Sequence, residues 1–232
     1  DSARETFRNE IYPAYKAQRP ELPEDLRPQF AIIRDAVRAF NVPSIEMPGF
    51  EADDLIATYA RHAREKGMDV VIVSSDKDLM QLVRDGVSML DPIKNRQIGP
   101  DEVMEKFGVA PDKVVDVQSL AGDSVDNVPG VPGIGVKTAA QLIGEYGDLD
   151  TLLARASEIK QPKRRESLIE FAEQARISRQ LVRLRDDVPL EIGVDKLEVQ
   201  DPEHATLLAF FIENNFKRLV ARLQALEVQE GE

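Results

Sequence analysis

Across residues 24–40 the apolar positions Leu26, Phe30, Ile33, Val37 and Phe40 recur at helical spacing, which predicts a helix. "NVPSIEMPG", residues 41–49, predicts a short strand between turn signals. Residues 51–66 read as a second helix, closed by Gly67. "DVVIVS" is a continuous β-branched run of the kind found in strands buried on both faces of a parallel sheet. "KDLMQLV" then reads as a short helix, "VSMLD" as a strand, and "GPDEVMEKFG" as a helix with a polar first turn. This alternation is the α/β pattern of an open sheet covered by helices.

After Val114 the strands nearly stop. Helices are expected over residues 114–121, 135–146 and 149–156, then a long basic helix from about 163 to 184, and two more across 202–214 and 216–226. The opening segment mixes Arg4, Arg8, Lys16 and Arg19 with Tyr12 and Tyr15 and runs into "RPELPEDLRP". It reads as a mobile or weakly structured basic segment.

Composition changes this picture in three respects. The 232 residues can bury a real core, and no apolar run is long enough to span a membrane. The absence of cysteine removes disulfides and thiolate metal sites and fits a reducing compartment, with the cytoplasm as the default expectation. A net charge of −12 argues against a polyanionic partner on its face, yet between Arg155 and Arg185 nine basic residues face four glutamates. The acid is therefore concentrated elsewhere.

Much of it lies in three clusters. In "EADD" Glu51 and Asp54 share a helix face with Asp53 beside them; capping of free N–H groups explains one acid, not three. In "SSDKDL" Asp76 and Asp78 follow the buried strand, at the edge where open α/β sheets bind ligands; a cap again accounts for one. In "LAGDSVDNVPG" Asp123 and Asp126 are three apart, as a functional pair or as a polar turn. A cation relieves the repulsion within such a set. Oxygen donors without Cys or suitably spaced His point to Mg²⁺ or Mn²⁺, with room for two or more ions about 3.5–4 Å apart, as in phosphoryl-transfer sites. His62 and His204 read as structural.

"VPGVPGIGVKTAAQLI" places Gly130, Gly133 and Gly135 in a tight turn ahead of a helix, with Lys137 nearby. The turn is either a plain helix–helix connection or a phosphate seat; it lacks the Walker A pattern. Set between "GDSVDN" and a basic helix, it favours a grip on a nucleic acid backbone, which positions a duplex without reading sequence. Tyr12 and Tyr15 could stack on unpaired bases, although at least one is expected to pack.

Taken together, "TFRNEIYPAYKAQRP", "GFEADDLIATYA", "SSDKDLMQLV" and "GDSVDNVPGVPGIGVKTAAQLI" resemble, in order and spacing, the 5′-nuclease (flap endonuclease) family, in the form of the 5′→3′ exonuclease domain of bacterial DNA polymerase I. The resemblance runs through "FKRLVARL" and covers essentially the whole chain. It implies an α/β fold: a PIN-like parallel-sheet nuclease core over residues 1–117, with a basic arch segment at 1–22, then a helical region over 118–232 with a helix-hairpin-helix (H3TH-type) DNA-binding module. It implies metal roles for Asp1, Glu51, Asp53, Asp54, Asp76, Asp78, Asp123 and Asp126. Lys16 and Arg19, with Arg8, match cations that engage the scissile phosphate. Gly133, Gly135 and Lys137, with Lys163 and Arg164 on the basic helix, match the duplex-binding part, which in the family often holds a monovalent cation such as K⁺.

Family members carry a further strand and another metal-binding aspartate before the position of Asp1, so the chain is read as incomplete at its N-terminus. The expected activity is Mg²⁺-dependent hydrolysis of DNA or RNA-primer phosphodiesters at single-strand/duplex junctions, by a monomer fused to polymerase domains in a longer parent. Two rivals stand beside it: a PIN-type ribonuclease sharing the carboxylate core, and a DNA-binding fragment without catalysis.

Overall fold

The computed structural model describes residues 5–20 and 23–230, so Asp1 and its expected metal role lie outside the described residues. Two compact units form: Asp1–Arg19 with Glu46–Leu190, and Pro20–Ile45 with Glu191–Glu232. The units do not follow the 117/118 boundary expected from the sequence, which falls inside the helix over Val114–Ala121.

In the first unit, α1 (Phe7–Ile11) precedes α3 (Ala52–Glu65), and the second unit's α2 (Arg27–Ala39) falls between them in the chain. Strand β1 (Val70–Val73) pairs in parallel with β2 (Val87–Asp91), Val70 opposite Val87; β2 pairs antiparallel with β3 (Arg96–Ile98), Met89 opposite Ile98. The described sheet is therefore mixed, because a tight hairpin with Asn95 at positive φ returns the chain beside β2. "DVVIVS" is buried on one face only: Ile72 is 6% exposed, whereas Val71 and Val73 are 60% and 62% exposed. β1 lies at the edge of the described sheet, and α3 packs against it.

"KDLMQL" forms a 3₁₀ turn over Lys77–Leu82. Residues 43–46 form no described strand; Pro43 and Pro48 each lack the N–H a ladder needs.

Helices α4 (Pro100–Phe107), α5 (Val114–Ala121), α6 (Val136–Tyr146), α7 (Leu149–Ala154), α8 (Pro162–Glu170) and α9 (Ala172–Val182) complete the unit. The expected long basic helix is two helices. Phe171 leaves helical geometry (φ −101, ψ 21) and packs, half-buried, on the core. That core joins Ile72, Met89, Val103, Leu120, Leu142 and Leu168 across sheet and helices. α5 runs through its middle, packing on α6 and α9. Val117 and Leu120 are fully buried. This anchors the loop that follows α5.

In the second unit α2 packs on α10 (His204–Glu213), and α10 on α11 (Lys217–Glu230). Ala39, Leu207, Phe210 and Phe211 form its core, with Phe40 and Phe211 rings 5.9 Å apart at 63°. No helix among the described residues is long and apolar enough to cross a membrane.

Candidate active site

Residues 5–20 of the opening basic segment are ordered rather than loose. Tyr15 is 4% exposed and packs with Val128, Leu181 and Val182, and Tyr12 packs against the same cluster. The Tyr15 ring is therefore not free to stack on a base, and Tyr12 is half-buried. Lys16 adopts a left-handed backbone (φ 54), unusual outside glycine, and its N–H donates to Asp126 O at 2.9 Å. That turn directs Nζ to Glu51 Oε1 at 2.8 Å, with Asp126 Oδ2 at 3.5 Å. Arg19 pairs with the other oxygen of Asp126.

Arg8 departs from the cation role expected at a phosphate. It is 1% exposed and forms a bidentate pair with Asp54, at 2.7 and 2.8 Å. Its Nε donates to Leu181 O at 2.7 Å. Asp54 is wholly buried and also accepts the Glu51 N–H at 3.1 Å and the Arg185 N–H at 2.9 Å. The helix-cap reading thus accounts for Asp54, whose oxygens are already engaged.

The remaining acids converge from separate segments. Glu51, Asp53, Asp78, Asp123 and Asp126 line one narrow cleft with Arg8 and Tyr15. Asp76 is exposed, and its Oδ1 accepts the Asp78 N–H at 2.9 Å. Burial, followed by the charges of Asp76 and Glu51, pushes Asp53 up to about 6. Asp78 likewise reaches about 6, chiefly by burial, with a hydrogen bond from Gln118 opposing the charge of Asp76.

Asp123 behaves differently: burial would raise it, but Lys77 and the N–H groups of Val125 and Asp126 hold it below the ordinary range. Lys77 is correspondingly raised, because its hydrogen bond to Asp123 and the nearby carboxylates outweigh its burial.

The cleft is thus crowded with like charge that Lys16, Arg19 and Lys77 only partly offset. Its donors are all oxygen, the chemistry of a hard divalent cation. As the side chains stand, no group of three among the described residues is set to ligate one ion, and ammonium groups pair with Glu51 and Asp123. The donor type and the uncompensated charge fit a divalent cation, whose arrival would displace those ammonium groups.

The Asp123–Asp126 loop is fixed from below. Asp123 and Val128 exchange backbone hydrogen bonds at 2.9 and 2.7 Å. Gly122 (φ 69, ψ −178) occupies a region essentially reserved for glycine, and a Cβ there would meet Val128 O at 2.6 Å. Gly130, read from sequence as part of the hairpin turn, closes the same loop; its N–H donates to Ser178 Oγ at 3.0 Å. Gly122→Ala is expected to destabilise the chain by about 2–3 kcal/mol, read as a lower urea midpoint; an unchanged midpoint would disprove this packing.

Gly133 and Gly135 leave open space around their Cα atoms at the start of α6, and Lys137 is exposed. Lys163 is exposed and Arg164 half-buried on α8. None of these five lines the carboxylate cleft.

The sequence pattern alone does not single out Lys77 or Gln118. Lys77 was visible as a cation between two acids, and Gln118 as a polar residue between Val117 and Leu120.

A family model described as the N-terminal resolvase-like domain of 5′-3′ exonucleases matches residues 1–108, and one described as their C-terminal SAM fold matches 109–205. DNA polymerase I of Rhizobium leguminosarum is 57% identical over 96% of the chain, which spans 22% of that protein. The thermostable DNA polymerase I of Thermus thermophilus is 40% identical over 98% of the chain and 27% of its own length. The chain therefore spans about a quarter of these curated relatives.

Among solved structures, bacteriophage T5 5′-exonuclease with bound zinc is 27% identical, covering 84% of this chain and 77% of that one at a TM-score of 0.72. The T5 flap endonuclease in a pseudo-enzyme-product complex with DNA and metal ions is 26% identical, covering 78% and 71%, at a TM-score of 0.69.

Proposed function

The chain belongs to the 5′-3′ exonuclease family, and from that premise we propose that it is a structure-selective 5′ nuclease that uses Mg²⁺ or Mn²⁺ to hydrolyse DNA or RNA-primer phosphodiesters at flaps and nicks. The observation that carries this reading is the gathering of Glu51, Asp53, Asp78, Asp123 and Asp126 around one cleft rimmed by Lys16, Arg19 and Lys77.

Glu51, Asp53, Asp76, Asp78, Asp123 and Asp126 would hold the cations. When bound, such ions supply Lewis-acid stabilisation of phosphate oxygens. Lys16 and Arg19, released from Glu51 and Asp126, offset charge on the scissile phosphate. Tyr15 keeps Glu51 and Asp126 in place, its hydroxyl lying 3.3 and 3.5 Å from them. Lys77 guards Asp123 until the cations compete for it.

Gly133, Gly135, Lys137, Lys163 and Arg164 hold the duplex backbone in this reading, with a K⁺ ion at the hairpin. Catalysis falls to residues 1–117 and duplex binding to 118–232, close to the boundary at 108/109 between the two family models. The setting is the bacterial cytoplasm, as a monomeric part of a DNA polymerase I.

The test is cleavage of a 5′-flap DNA against single-stranded RNA, with and without Mg²⁺. Preference for the flap, dependent on the cation, supports the proposal. Preference for RNA would replace it with a PIN-type ribonuclease, and flap binding without cleavage with a non-catalytic DNA-binding role. Lys16→Ala is expected to slow single-turnover cleavage by roughly 10²-fold while duplex affinity changes only a few-fold. The reverse pattern would move Lys16 to substrate positioning.

A further inference from the structure

Asp78 is held from several directions. Its N–H donates to Asp76 Oδ1 at 2.9 Å, and its carbonyl accepts Gln81 Nε2 at 2.9 Å. Gln81 also donates to Val182 O at 3.0 Å and accepts the Leu184 N–H at 3.1 Å. These backbone hydrogen bonds at Asp78 come from its own turn, while α5 packs against that turn through apolar side chains. Gln118, on α5, contributes one contact of a different kind: its Nε2 donates to the carboxylate Oδ1 of Asp78 at 2.6 Å.

Gln118 is 3% exposed, and its Oε1 is buried with no hydrogen-bond partner among the described residues. A buried acceptor left unpaired costs about 1–3 kcal/mol. Val117 and Leu120 beside it are buried and apolar. An unbranched apolar side chain of similar length would fill the same space without that cost. The amide is thus poorly explained by packing and well explained by what it does to Asp78.

We propose that Gln118 is a positioning residue that orients the Asp78 carboxylate for cation binding, at the expense of one unpaired buried acceptor in the fold. The inference rests on the metal-dependent reading above and deepens it. Hydrogen-bonded partners of metal-holding side chains typically change affinity by about 10–100-fold.

The discriminating variant is Gln118→Met, which keeps length and removes both polar ends. Mn²⁺ binding followed by electron paramagnetic resonance is expected to weaken about 10-fold. The melting temperature of the metal-free chain should stay level or rise. Equal Mn²⁺ affinity in variant and wild type overturns the inference alone. A fall in melting temperature alongside the affinity, or failure to fold, overturns it by making Gln118 structural. A wild type that takes up no Mn²⁺ overturns the metal reading and this inference with it. On an Asp78→Asn background, Gln118→Met should cause no further loss of Mn²⁺ affinity, because it acts through that carboxylate; an additive loss overturns the assignment.

Discussion

Asp123→Asn is expected to lower cleavage of a flap DNA by roughly 10²–10³-fold while leaving the fold intact. The asparagine keeps an oxygen to accept the Val125 N–H, which Asp123 Oδ1 receives at 2.7 Å. The backbone exchange with Val128 does not involve the side chain at all. What disappears is a full negative charge on the wall of the cleft. The surroundings of Asp123 hold it below the ordinary carboxylate range, whereas Asp53 and Asp78 are pushed up to about 6 by burial and by their neighbours. Removing it takes away an anion held below the ordinary range and leaves Lys77 facing Asp76 and Asp78. Single-turnover cleavage with excess Mg²⁺, alongside a melting curve, separates the two effects. Cleavage within about three-fold of wild type would sink the assignment of Asp123 to the catalytic site.

The pairing of those acids was legible because their spacing relative to strand and helix ends is a local property. "EADD" opens a helix and "SSDKDL" follows a strand, so element ends alone bring like charges together. What sequence concealed was which acids remain available. Asp53 and Asp54 are adjacent, but the helical turn sends Asp53 towards the cleft and buries Asp54 completely against Arg8. That outcome depends on α1, Leu181 and Arg185, which are far apart in the chain.

The same limit explains the errors in the sheet. "DVVIVS" is equally compatible with one covered face or two, and only the identity of its neighbours decides. β3, three residues long with Arg96 and Gln97 exposed, has almost no pattern of its own and exists because β2 is there to pair with it. The break at Phe171 is likewise a packing event inside a continuous helical pattern.

Arg8→Met is expected to cost about 3–5 kcal/mol of stability, a large share of the roughly 5–15 kcal/mol that holds a domain together. The reason is the charge it leaves behind. Asp54 would retain the Glu51 and Arg185 N–H groups but lose both guanidinium contacts at 0% exposure. The carbonyls of Leu181 and Arg183, which accept from Arg8 at 2.7 and 3.2 Å, would lose a donor as well. α1 would then be less firmly tied to α3 and to the segment after α9, and Lys16 and Arg19 follow α1 in the chain.

Arg8→Met together with Asp54→Leu should recover part of the loss, because no charge is stranded, but not all of it, since the Glu51 and Arg185 N–H groups would then lack their acceptor. Urea unfolding of wild type, the two single variants and the double variant gives the coupling directly. A direct contact between Arg8 and the scissile phosphate predicts the opposite pattern: Arg8→Met would leave the urea midpoint unchanged and remove only cleavage. That result would return Arg8 to the catalytic cations and require the cleft to rearrange when DNA binds.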